Sequence, residues 1–112
     1  MAEAVYRTGP LPPGSLDAAT LFHHDHLPEL EKLFVGASGS VVIVFPVADY
    51  THKAWRRAVI AELARVHAPT RINAIAGGQS CSLSEVIAYL HAAPGVTGQL
   101  LALDGNMPGS QA

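Results

Sequence analysis

Apolar positions along this chain fall into two kinds of pattern. Val41–Phe45 (VVIVF) and Arg71–Ile75 (RINAI) are short apolar runs rich in β-branched residues and without alternation. Such runs suit strands buried on both faces of a parallel sheet. Between them, from Thr51 to His67, apolar residues recur at helical spacing until Pro69 stops the pattern. Strand, helix, strand is a βαβ unit, whose crossover is right-handed in nearly all cases. Within that helix Lys53, Arg56 and Arg57 lie together, Glu62 and Arg65 project elsewhere, and much of the remaining circumference is Ala, Val, Ile, Leu and Trp. A helix apolar on more than one face is expected to cover the sheet with one face and meet a partner helix with the other.

The flanks extend this unit. Glu3–Arg7 reads as a short strand carrying Val5 and Tyr6, and Gly9-Pro10-Leu11-Pro12-Pro13-Gly14 forbids regular structure. Ser15 is a candidate N-cap for a helix from Leu16, with Leu16, Ala19, Thr20 and Phe22 as its apolar face. Pro28 opens a second helix with Leu27, Leu30, Leu33 and Phe34 at helical spacing. Gly36–Gly39 is a small-residue loop. Beyond the second strong strand, Gly77–Cys81 is a turn, and Ser82-Leu83-Ser84-Glu85 matches a capping box for a helix running to about His91. Val86, Ile87 and Leu90 point inward and Pro94-Gly95 ends that helix. Thr97–Gly105 reads as a strand entering a turn, and the tail from Pro108 reads as flexible.

At 112 residues the chain is expected to form one domain, with 1–15 as an extension and 108–112 as a tail. Apolar residues make up 49% and charged residues only 14%, so some apolar surface is expected to face another chain. A net charge of −2, with 7 Lys plus Arg and no basic run, argues against nucleic acid. One cysteine, Cys81, excludes an internal disulfide and suits a reducing compartment. The first residues lack the layout of a signal peptide and no apolar run reaches membrane length, so a soluble, cytoplasmic protein is expected.

RINAIAGG resembles a strand and turn of the short-chain dehydrogenases/reductases, and VTGQLLALDGNM resembles that family's last strand. GSVVIVFPVADYTHKAWRRAVIAELARV is similar to the strand that carries the family's catalytic serine and the helix after it. The resemblance spans roughly Pro28 to Met107. It implies an α/β fold: a truncated Rossmann-like three-layer domain with about three or four parallel strands and three helices. The departures concern chemistry. Nothing matches the family's glycine-rich nucleotide loop, Phe45-Pro46 stand at the serine's place, and only Gln79, Ser80 and Cys81 remain of the substrate loop. The family's Tyr-x-x-x-Lys finds its lysine in Lys53, but Asp49 stands four residues earlier; Tyr50, three earlier, still shares a helical face with Lys53.

The resemblance therefore implies a non-catalytic subunit that retains the family's assembly surfaces. It would take one protomer's place beside a full-length NAD(P)H-dependent ketoreductase or dehydrogenase, which would hold the NAD(P)H. The interface is expected at Trp55, Ala58, Val59, Glu62, Leu90, Leu100 and Leu103. The alternatives are a stand-alone non-redox enzyme using Tyr50 and Lys53, with the His23–His26 histidines, as weak acid–base candidates, and a homo-oligomeric remnant. No cofactor or metal is assigned to this chain. His23-His24-Asp25-His26 reads as exposed polar residues rather than a zinc site, which needs four ligands. Cys81 reads as a small loop residue, Asn73 as a structural hydrogen bonder, and Asp104-Gly105 as a turn.

Overall fold

A computed structural model describes residues 3–36, 39–77 and 80–103. Four strands form one parallel sheet in chain order: β1 (Glu3–Arg7), β2 (Ser40–Phe45), β3 (Arg71–Gly77) and β4 (Leu100–Leu103). Val42 pairs with Asn73 and Ile75 with Leu101, so alternate residues of each strand serve opposite faces. Val41, Ile43 and Phe45 face one core, with Ile72 and Ala74 of β3; Val42, Val44 and Ile75 face the other. Full burial on both sides explains why the pattern of β2 is a continuous apolar run.

The first core is roofed by a helical run and by α3 (Lys53–Val66). The run consists of α1 (Ser15–Leu21), a π-helical stretch Phe22–His26 and α2 (Leu27–Gly36). The two helices expected on either side of Pro28 are thus joined. Proline has no N–H and its ring crowds the carbonyl four residues back, here His24. A wide π turn just ahead of Pro28 accommodates both demands. Phe22 and Leu30 are fully buried beneath the run.

The second core is covered by α4 (Ser80–Ala92) through Leu83 and Leu90. Each connection moves one strand further in the same direction, yet α4 lies on the face opposite α3. The β3–α4–β4 crossover therefore has the opposite hand to the β2–α3–β3 unit, against the usual preference. Coverage accounts for it: α3 already touches β3 and β4, and without α4 the Val42, Val44 and Ile75 face would be bare.

Several local expectations are corrected. Gly14 in extended backbone caps α1 without a side-chain bond, so Ser15 is the first helical residue and not the cap. Helix α4 begins at Ser80, which puts Ser82 inside the helix and removes the capping box. The outward side of α3 carries Ala54, Ala58 and Ala61 between Arg57, Glu62 and Arg65; it is small-residue and charged rather than a second broad apolar face. Trp55, one of the expected interface positions, packs against Phe22 and Phe45, with ring centroids 5.5 and 5.6 Å away, and keeps part of its surface exposed. Leu90 is fully buried and Val59 nearly so, both inside the chain's own cores. Of the expected interface positions, Ala58 and Glu62 are exposed and Leu100 and Leu103 half-exposed. Asp104-Gly105 and the tail from Pro108 lie outside the described residues, as does the Cys81 side chain.

Candidate functional site

In parallel sheets, ligands bind beyond the carboxyl ends of the strands. A cleft of about 320 Å³ opens there, between the Leu11–Pro13 loop after β1 and the Pro46–Asp49 loop after β2. Leu11, Pro12, Pro46 and Val47 give it apolar walls, and Asp49, His52 and Arg56 supply its polar groups.

The start of α3 places those groups. Asp49 caps a 3₁₀ turn, Tyr50–His52, by accepting from the Thr51 N–H at 3.0 Å and from the Thr51 hydroxyl. These two bonds hold the Asp49 carboxyl below its ordinary range. His52 is 3% exposed. Its Nε2 lies 3.0 Å from the Pro13 carbonyl, and the Trp55 indole N–H donates to its Nδ1 at 3.3 Å. A carbonyl only accepts and an indole only donates, so His52 is the neutral Nε2–H tautomer. It ties the proline loop to α3 and has no free nitrogen for chemistry.

Arg56 is the unusual member. Its side chain is 3% exposed, and its guanidinium carbon sits 4.6 Å from the Phe45 ring centre and 5.7 Å from that of Trp55. Nη1 donates to the Pro46 carbonyl at 3.0 Å; Nε and Nη2 meet no acceptor among the described residues. Burial pushes the Arg56 guanidinium below its ordinary value. The sequence placed Arg56 with Lys53 and Arg57 as one basic group. The structure separates them: Arg56 turns inward while Lys53 and Arg57 stay exposed.

Tyr50 is 86% exposed and Lys53 is exposed, no hydrogen bond joins them, and neither lines the cleft. Lys53 and Arg57 border a second groove along Gly98–Leu103 instead. The histidines of the π stretch disperse. His23 bonds the Ala19 carbonyl, His24 pairs with Asp25 at 2.6 Å, and His26 Nδ1 meets the Tyr6 hydroxyl at 2.8 Å. Among the described residues no group of three His, Cys, Asp or Glu is placed to hold a metal.

Asn73 and Arg71 act structurally. Buried Asn73 donates Nδ2 to the Val96 carbonyl and accepts from the Gln99 N–H, both at 3.0 Å, fixing the turn into β4. Arg71 donates to the carbonyls of Leu90, His91 and Ala93 at 3.0, 3.0 and 2.7 Å, closing the C-terminal end of α4. Nothing in the local pattern signals this long-range cap, because an Arg opening a strand is locally unremarked.

A family model described as SDR-like, short chain dehydrogenase-like protein, matches residues 6–103. This chain belongs to the SDR-like family. The matched range opens inside β1 and closes with β4, so the likeness reaches further upstream than Pro28 and takes in the proline loop and the cleft. No curated protein and no solved structure matches the chain significantly. Of Phe45-Pro46, which the resemblance to the short-chain dehydrogenases/reductases sets at the place of the catalytic serine, Phe45 is 1% exposed. Only residues 78 and 79 separate β3 from α4. Among the described residues no helix is long and apolar enough to cross a membrane.

Proposed function

We propose that this chain is a non-catalytic SDR-like subunit that assembles with a full-length NAD(P)H-dependent ketoreductase or dehydrogenase and stabilises or tunes it. The observation that carries the reading is the end of β2. The position resembling the catalytic serine holds Phe45, whose ring lies in the core beneath Arg56 and offers no hydroxyl to a substrate. Asp49, at the place of the family's tyrosine, is engaged with Thr51. The two-residue link from β3 to α4 leaves no room for a substrate loop. The partner supplies the NAD(P)H. Docking falls to the outward side of α3 around Ala58 and Glu62 and to β4 at Leu100 and Leu103, the sheet's edge strand among the described residues, surfaces that correspond to assembly surfaces in the resembling family. Alanines let a partner helix approach closely, and an edge strand presents unpaired backbone groups.

A stable complex of this kind buries about 1,000 Å² or more in total. Co-expression with any full-length NAD(P)H-dependent reductase found encoded beside this gene, followed by mass measurement of the purified species, tests the reading. The expected result is a hetero-oligomer that Ala58→Arg disrupts. Free small chain alone at micromolar concentration overturns it.

A further inference from the structure

We propose that the cleft between the two proline-bearing loops is a binding site for a small organic monocarboxylate, gripped by Arg56. The guanidinium is a planar fork, and Nε with Nη2 forms the edge that takes two parallel bonds from a carboxylate. Nη1 is already committed to the Pro46 carbonyl, while that Nε–Nη2 edge meets no acceptor among the described residues. A buried charge without a counter-charge is costly and is relieved by a paired, hydrogen-bonded anion. No Asp or Glu of the described residues supplies one: Asp49 is engaged with Thr51, and no ion pair to Arg56 forms.

The walls narrow the ligand class. Leu11, Pro12, Pro46 and Val47 suit a small apolar body, and about 320 Å³ is at the lower end of the range for small-molecule sites, which favours a compact ligand over a dinucleotide. Asp49, an ionised carboxylate on the same cleft, disfavours a second negative charge, so a monoanion fits better than phosphate. Nε and Nη2 each have under 1 Å² accessible, so the proposed binding requires the two loops to part for a ligand to reach them; the His52–Pro13 bond is the tie between those loops. The inference does not rest on the subunit reading, which uses α3's outward side and the β4 edge.

Trp55 is the only tryptophan and lies beside Arg56, so it reports directly. The chain is titrated with sodium isobutyrate and sodium benzoate at constant ionic strength, against sodium chloride and inorganic phosphate, following Trp55 fluorescence and the thermal midpoint. A saturable response to the carboxylates with Kd on the order of 1 mM or tighter, and a rising midpoint, is expected. Arg56→Lys, which keeps the charge but not the fork, is expected to weaken binding at least tenfold. Arg56→Met is expected to abolish the response, with far-UV circular dichroism checking that the variant remains folded. No saturation in the unmodified chain, an equal response to phosphate, or a response kept in Arg56→Met overturns the proposal.

Discussion

Single side chains in this protein do long-range work that their neighbours in sequence do not reveal. Asn73 joins β3 to the turn before β4 through both ends of its amide. Asn73→Ala leaves the Val96 carbonyl and the Gln99 N–H without their partner, and is expected to cost about 2–4 kcal/mol in urea unfolding. Arg71→Met strips three carbonyls of their donor at the end of α4. A loss of about 2–3 kcal/mol is expected, with faster amide exchange confined at first to residues 88–92. Asp49 behaves differently because it is exposed. Its folded carboxyl titrates below the unfolded one, so its contribution is present above the unfolded value and disappears as pH falls through the folded value. The Thr51 amide resonance is expected to follow that titration, and Asp49→Asn to flatten it. These partners were invisible beforehand: Asn73 showed its type and buried position, but the residues it bonds come from a turn more than twenty positions away.

At the scale of elements, the hydrophobic pattern carried most of the information. The runs at Val41 and Arg71 are strands and the segment after Thr51 is a helix, because full burial and helical spacing leave direct marks on composition. Boundaries were less readable. Ser82 with Glu85 satisfies a capping box, yet α4 begins at Ser80 just after a left-handed Gly77. That glycine is required by its surroundings as well as its φ of +78°. A Cβ there would come within 2.6 Å of the Leu103 carbonyl oxygen. Gly77→Ala is expected to cost about 1–3 kcal/mol, read by chemical unfolding, and to loosen the β3–β4 pairing.

For the molecule as a whole, one sheet separates two cores and couples them. Phe22, Phe45 and Ile60 pack on one side and Val42, Ile75 and Leu90 on the other, with adjacent residues of the same strands shared between them. Leu90→Ala is expected to cost about 2–4 kcal/mol. Trp55 fluorescence on the far face and far-UV circular dichroism should shift together by that amount, since neither layer holds without the sheet. Separated transitions would show that α4 unfolds by itself.

Local order in the chain settled the strands, the main helices, the family likeness and the missing serine, since each depends on residues adjacent in sequence or at fixed short spacing. Tertiary structure decided the rest. It placed α4 on the opposite face, laid Trp55 half-buried against the first core, and turned Arg56 away from Lys53 and Arg57 onto Phe45. Helical phase shows which residues share a side of a helix. Which side meets the sheet, and which loop closes over it, depends on contacts between residues as far apart as Pro13 and His52.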